Sequence, residues 1–480
     1  MAENGVRTHA PPPAQKRVKT TPETQTQTPR LGVDRISTLP DPLIQHILSF
    51  LPTFDVVRTS VLSKQWRHIW YSVPTLCFSY STTDIYGPKT RKEFYKYINN
   101  CLKQRKLCGM RRIVDPVITS FKLAMKVRPY GKSVAHRLNK WLASAVESKV
   151  KELYLYLESE SPSYVHHYHY CLPETVVNSR YLTIMELEGT ELSTYTFSLP
   201  SLKTLSLTYV LLSDDGLNKL LLGCPSLEKL VLYKACGYCL CNGRFRSLSL
   251  KYLEIDKIRY LAVQVEAINL ESLVLVDVRC KRVDLSACKA IRNLNLSGDV
   301  WFINDRSLEY LISKLPLLEN LTLSNCDGLK HVKISSQGLK SFSLNNIYCE
   351  VKVTVELAPK LASFRYKGNL KFSISMESPN LLNGHFVLVH GWPPKFDANW
   401  YTNLMNFLSN LNCFWNIVHL DVRLPKALML PKNLRRNCPS PLLNWKHLKV
   451  TTNRKPEKES EYLREVLFWI APSLETLSIN

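Results

Sequence analysis

The sequence predicts an α/β protein: a short N-terminal three-helix unit followed by a solenoid with a parallel sheet on its concave face. Three observations carry this. Large apolar residues crowd in at helical spacing between Leu39 and Trp70. From residue 150 onward one strand pattern returns again and again. Hydrophobic content of 45% and charged content of 21% are those of a folded chain, and 480 residues suffice for a short module plus an elongated array.

The first 33 residues are polar, with Pro11-Pro12-Pro13 and repeated Thr and Gln. They cannot bury enough surface to fold and read as a disordered tail without a signal-peptide pattern. Lys16-Arg17-Val18-Lys19 in this tail has the character of a nuclear import signal, which tail deletion and microscopy would test.

The crowded segment is argued locally. Asp41-Pro42 is a helix start, the carboxylate capping free N–H groups and proline preset for the first turn. Leu43, Ile44, Ile47, Leu48 and Leu51 follow at helical spacing until Pro52 stops the helix. Thr53 is placed to cap a second helix through Val56, Val57 and Val61, and Ser63 a third with Trp66, Ile69 and Trp70. With Leu39, Phe50, Phe54 and Leu62 added, a unit of about forty residues carries more apolar surface than a domain burying only ~60% of its unfolded area can hide. The excess asks for a partner groove.

The order Leu39-Pro40, Ile47-Leu48-Ser49-Phe50-Leu51-Pro52, Val61-Leu62-Ser63-Lys64, then Trp66 and Trp70, closely resembles the F-box in its plant-type form, over residues 34 to 78. The resemblance implies binding to the Skp-type adaptor of a cullin-RING ubiquitin ligase. The positions it assigns to that contact are Leu39, Pro40, Leu43, Ile47, Leu48, Leu51, Val57, Leu62 and Trp66.

Residues 81 to 149 are expected to connect module and array, with a helix around Phe94 to Leu107 and a strand around Ile118 to Val127. An amphipathic helix over Val134, Leu138, Trp141, Leu142, Ala145 and Val146 is expected to cap the exposed end of the array. The array then follows as apolar, two residues, apolar, one residue, apolar: Val150-Leu153-Leu155, Leu182-Met185-Leu187, Leu202-Leu205-Leu207, and onward to Leu318-Leu321-Leu323, with weaker copies at Leu339-Phe342-Leu344 and Leu361-Phe364-Tyr366. From 182 to 361 the starts step by 20 to 27 residues, the period and pattern of leucine-rich repeats. One repeat cannot bury its own edge, whereas stacked repeats share a leucine core. The stretches 211–227 and 303–318 read as strand, turn, short helix, strand, and resemble the cysteine-containing repeats of plant F-box proteins. After residue 400 the repeats degenerate, with the motif at Ile417-Leu420-Val422, Trp445-Leu448-Val450 and Leu474-Leu477-Ile479. Cys438 to Asn480 is similar to the FBD region of plant F-box proteins. The uncharged run Ala398 to Val418 is broken by asparagines and reads as one amphipathic helix, not a bilayer span.

The non-core strand positions should line the concave face. Across the eight motifs starting at 202 to 361 these 24 positions include three basic and two acidic residues. The candidate target contacts among them are Tyr233, Tyr252, Glu254, Asn295, Thr322 and Arg365. With 63 basic against 40 acidic residues the net charge is +23, yet this face does not concentrate it as a nucleic-acid cradle would. The face suits a polypeptide. Fourteen cysteines without a secretion signal read as reduced thiols of an intracellular, nuclear or cytoplasmic protein.

Other motifs lead nowhere. Cys236, Cys239 and Cys241 with Cys224 have spacing a zinc ion could use, but Cys224 belongs to the repeat unit; His166, His167, His169 and Cys171 fit a Tyr-rich loop better than a metal site. Gly131-Lys132-Ser133 lacks the first glycine of a phosphate loop, since position 126 is Lys126. No acid/base constellation can be assembled, and no cofactor or metal is expected. The reading is a non-catalytic subunit that docks on a Skp-type adaptor, and through it a cullin, while the repeats hold a target protein. The alternatives are a receptor whose concave face needs a small molecule to hold its target, and a basic nucleic-acid-binding repeat protein.

Overall fold

A computed structural model describes residue 36 and residues 38–480, apart from stretches at 81–87, 112–116, 128–131, 160–169, 193–195, 235–241, 260–261, 301–302, 348, 378–380, 392–393, 438–439, 443 and 454–459. The basic tail cluster, Cys236, Cys239, Cys241, the three histidines at 166, 167 and 169, and Gly131 lie outside the described residues.

Three short helices come first: α1 (Asp41–Leu48), α2 (Thr53–Thr59) and α3 (Lys64–Ser72). Ile44, Leu48, Val56, Trp66, Ile69 and Trp70 close between them as a small core. Ser63 caps α3 as expected, its hydroxyl accepting from the Trp66 N–H at 3.3 Å. The other two starts differ. Pro40 and Pro52 occupy the N-cap positions and supply no side-chain acceptor. Asp41 becomes the first helical residue, and its carboxylate accepts from Gln65 Nε2 at 3.1 Å, tying α1 to α3. The Thr53 hydroxyl is likewise used elsewhere, accepting from the Cys77 N–H at 2.7 Å. Both helices are shorter than the apolar spacing suggested, which leaves Leu51 and Val61 in the turns that follow them.

Beyond them runs one all-parallel sheet of sixteen strands in chain order. Its members are β1 (Thr75–Tyr80), β2 (Ser120–Val127), β3 (Glu152–Ser159), β4 (Ile184–Glu188), β5 (Thr204–Thr208), β6 (Lys229–Tyr233), β7 (Tyr252–Asp256), β8 (Ser272–Val276), β9 (Asn293–Ser297), β10 (Asn320–Ser324), β11 (Ser341–Asn346), β12 (Ser363–Gly368), β13 (Leu381–Leu388), β14 (Phe414–Val422), β15 (His447–Thr452) and β16 (Thr476–Ile479). Alternate residues of each strand point into a continuous core, as the Leu-x-Leu pattern requires. The residue after many of these strands turns with positive φ: Tyr209, Lys234, Lys257, Asp277, Asn325, and glycine at Gly189 and Gly298. The chain thus leaves the sheet by the same left-handed step in repeat after repeat.

The sheet begins two strands earlier than expected. β1 follows α3 directly and pairs with β2. The connecting helices are α4 (Arg91–Met110), opened by a Thr90/Glu93 capping box, and α5 (Lys132–Glu147). Since α5 lies between β2 and β3 in the chain and packs between α4 and α6 (Glu174–Val177), it is an inner helix of the array and not its end cap. The helical module covers that end instead. Phe54 meets Tyr97 of α4 edge-on at 5.6 Å between centroids, and Val57 packs against both cores.

On the far side of the core, α7 (Asp214–Gly223) and α8 (Asp305–Ser313) form the expected short helices, capped by Ser213 and Asn304. Several other repeats return through short strands, which assemble a three-stranded and a four-stranded parallel sheet. Alternating β-branched residues such as Val263-Val265 and Val353-Val355 favour this path.

Three corrections concern the C-terminal part. The run 398–418 is not one helix: α9 (Ala398–Ser409) ends before Leu411–Asn412, and β14 follows. Ile417 is exposed, and Trp415 and Val418 take the inward positions. The strand β13 escaped the motif because Gly384 stands opposite the inward residues Phe364 and Val418. The Trp415 ring fills the missing volume, so that a Cβ on Gly384 would come within 2.8 Å of Trp415 and Phe386. Gly384→Ala should therefore cost about 1–2 kcal/mol by overpacking, read as a lower urea midpoint. The last helices are α10 (Lys432–Asn437) and α11 (Ser460–Ile470). Among the described residues no helix is long and apolar enough to cross a membrane.

Candidate functional site

The helical module divides its apolar side chains between two tasks. Leu48 and Trp66 are buried in its own core, which removes them from the set expected to face an adaptor; they hold the helices together. Leu39 is half-buried against that core, and Val57 faces the array. Pro40, Leu43, Ile47, Leu51 and Leu62 remain open, with Leu43 at 51%, Ile47 at 48% and Leu62 at 65% exposure. Ile36, Phe50 and Val61 are exposed as well. A three-helix unit this short has one inside, and that inside is already filled, so these groups have nowhere to go within the described chain.

Strand register places the second candidate surface. One row of outward residues runs Cys77, Lys122, Tyr154, Glu186, Ser206, Val231, Glu254, Val274, Asn295, Thr322, Ser343, Arg365, His385, His419, Lys449, Ser478 across β1 to β16. Of the six expected contacts, Glu254, Asn295, Thr322 and Arg365 share this row. Tyr252 and Tyr233 lie in the rows before and after it. The Tyr252 hydroxyl donates to Glu254 Oε2 at 2.6 Å, and Lys229 Nζ stands 4.9 Å from the Tyr252 ring. Both ends of the row were missed. Tyr154 and Glu186 come from motifs not counted toward the face, Lys122 from a strand without a clear motif, and His385 from the strand masked by Gly384.

The C-terminal end of the face holds an imidazole pair. The rings of His385 and His419 stack at 4.3 Å and 6° between planes, and His419 Nε2 lies 2.8 Å from Thr451 Oγ1. Burial first, then His419, Arg365 and Lys449, holds His385 below the ordinary imidazole range, with Asp421 opposing. Burial, then Lys449 and Arg365, does the same to His419. The consequence for stability has a definite sign. Above about pH 6.5 both imidazoles are neutral folded and unfolded. As pH falls below that value the unfolded chain takes up protons first, so stability declines until the lower folded values are passed. Urea midpoints measured from pH 7.5 to 5 should fall less in His385→Gln/His419→Gln than in the parent chain.

Among the described residues no group of three or more His, Cys, Asp or Glu is placed to hold a metal ion. Cys224 is buried in the array, where desolvation pushes its thiol up to about 12. It packs as a small apolar residue.

The F-box domain model matches residues 36–78. Residues 138–293 match the model "FBD-associated F-box protein At5g56370, LRR repeats", and residues 280–480 match "At1g61320/AtMIF1, LRR domain". Putative F-box/LRR-repeat protein At5g02930 of Arabidopsis thaliana is 34% identical over 54% of this chain and 51% of its own length. F-box/FBD/LRR-repeat protein At2g26030 of the same plant is 31% identical over 51% and 53%. Putative F-box/FBD/LRR-repeat protein At1g22000, also from that plant, is 30% identical over 67% and 65%. The chain spans about half the length of the first curated relatives it matches. The region resembling the FBD contributes β15 and β16, the last two strands of the same sheet. Helical module, repeat type and relatives agree: the chain is an F-box/leucine-rich-repeat protein of the plant type.

Proposed function

We propose that this protein is the substrate-recognition subunit of a Skp-cullin-F-box ubiquitin ligase. F-box domains generally bind Skp-type adaptors. The observation that carries the reading for this chain is the set Leu43, Ile47 and Leu62, left exposed although the small core beneath them is complete. Pro40 and Leu51 extend the same contact, and Leu39 positions it. The repeat array holds the target, through Tyr233, Tyr252, Glu254, Asn295, Thr322 and Arg365. Ubiquitin transfer is then the work of other subunits, and this chain contributes proximity. Glu186, Glu188, Glu254 and Asp256 on the concave face weigh against a nucleic-acid cradle, because carboxylates repel phosphates.

Co-expression with a Skp-type adaptor tests the docking half. A one-to-one complex is expected by light scattering after gel filtration; a chain that elutes alone, folded and without adaptor, sinks the proposal. Proximity labelling from a docking-defective but folded variant then reports the target, since such a variant should hold it without delivering it to degradation.

A further inference from the structure

The concave face is sorted by charge along its length. From β3 to β7 its outward positions carry Glu152, Glu158, Glu186, Glu188, Glu254 and Asp256 against Lys229 alone, with Lys122 and Lys126 on β2 before them. From β8 to β11 the outward positions are Ser, Thr, Val and Asn throughout, with no charge. From β12 to β15 they carry Arg365, Lys367 and Lys449 with His385, His419 and His447, against Asp421 alone.

The basic end has no ion pair within the described chain, and at the acidic end the cations at hand are Lys126, paired with Glu158, and Lys234 and Lys257 near Asp256. Arg365, Lys367 and Lys449 are exposed, and no carboxylate among the described residues lies within ion-pair distance of them. At the other end burial, with Glu158 nearby, raises the Glu188 carboxyl, and burial raises that of Asp256. Gathering like charges costs folding free energy, and such a cost is recovered when an opposite charge arrives.

Between the two ends lie unused acceptors. Asn295 Oδ1 and Asn345 Oδ1 are buried and have no hydrogen-bond partner among the described residues. They stand on β9 and β11, within the uncharged floor. Rotation of these two amides would bring the oxygens to the surface, where the backbone N–H groups of an extended chain are suitable donors.

We propose that the concave face receives one extended, charge-polarised polypeptide segment of the target. Its cationic side chains sit at the carboxylates of β4 and β7, and its anionic groups at Arg365, Lys367 and Lys449. From β7 to β12 there are five strand steps, roughly 24 Å at about 4.8 Å each, which an extended chain spans in about seven residues. The segment therefore separates its two charged ends by about that number of uncharged positions. The anionic end is a carboxylate or a phosphate, which the face meets with the same chemistry.

The inference rests on the reading that the array holds a target, and its test keeps the two apart. The full chain, purified and assayed in parallel for adaptor binding, is applied to peptide libraries with a Lys/Arg pair and a Glu pair flanking five to nine degenerate residues. A parallel library carries phosphoserine in place of the Glu pair, and two others carry one charged end only. Two-ended peptides with a spacer near seven should be selected, and binding should weaken severalfold between 50 and 300 mM salt. Arg365→Glu/Lys449→Glu should weaken it at least tenfold and erase the preference for the anionic end. Glu186→Gln/Glu254→Gln, which keeps the side-chain shapes, should erase the preference for the cationic end. Preference for glutamate or for phosphoserine identifies the anionic group. Selection of one-ended peptides equally well, or variants that leave the preferences unchanged, overturns the inference while adaptor binding stands. Polarised selection by a chain that does not bind the adaptor upholds it and removes the ligase reading instead.

Discussion

Replacing Leu43 and Ile47 together by glutamate should weaken binding to a Skp-type adaptor at least a hundredfold, with little change in melting temperature. Each side chain keeps about half its surface in water, so docking has roughly 1 kcal/mol of burial per residue left to gain. Loss of both, plus the cost of bringing unpaired carboxylates into an apolar contact, exceeds the ~2.7 kcal/mol that a hundredfold requires. The folded chain notices little, because the core beneath is formed by Ile44 and Leu48 on the other face of α1. Ile44→Ala gives the contrast: it removes a group that is 1% exposed and should destabilise the module itself by about 2–4 kcal/mol. Titration calorimetry with purified adaptor reads the first effect and urea unfolding the second. A double glutamate variant that binds within threefold of the parent would place the adaptor contact elsewhere.

Arg105→Ala should loosen the joint between F-box and repeats, at a cost of about 3 kcal/mol or more. Arg105 is 2% exposed on α4. Its Nη1 donates to the Trp70 carbonyl at 3.1 Å, at the end of α3, and its Nη2 to the Val117 carbonyl at 3.3 Å, ahead of β2. Burial draws the guanidinium down to about 10, still cationic at neutral pH. Truncation leaves two acceptors without their donor, at about 1–3 kcal/mol each, and opens a cavity where the buried side chain stood. Limited proteolysis near residues 71–75 should accelerate along with the drop in unfolding midpoint. Unchanged proteolysis would mean that Thr53, through its bond to Cys77, and Phe54 hold the joint by themselves.

Most of the strands were legible because each carries its own Leu-x-Leu, and alternation is a local property. The exceptions have physical causes. Gly384 vacated an inward position that a tryptophan from the next strand refilled, so no pattern within β13 reported it. β1 was hidden because its neighbours in the chain are F-box helices, and its pairing partner β2 lies some forty residues on. The F-box was legible as a motif, yet Leu48 and Trp66 turned inward while Leu43 and Ile47 stayed outside. Helical spacing alone does not say which side of a short helix its neighbours will cover.

The sequence by itself determined the repeat period, the inward leucines and the presence of a module with more apolar groups than it can bury. These depend on residues a few positions apart. Only the tertiary structure decided that the F-box closes the end of the array, and that carboxylates gather over β3 to β7 of the concave face and cations over β12 to β15. Those facts depend on strand register, which brings together residues a whole repeat apart, and on a stacking order that no single repeat contains.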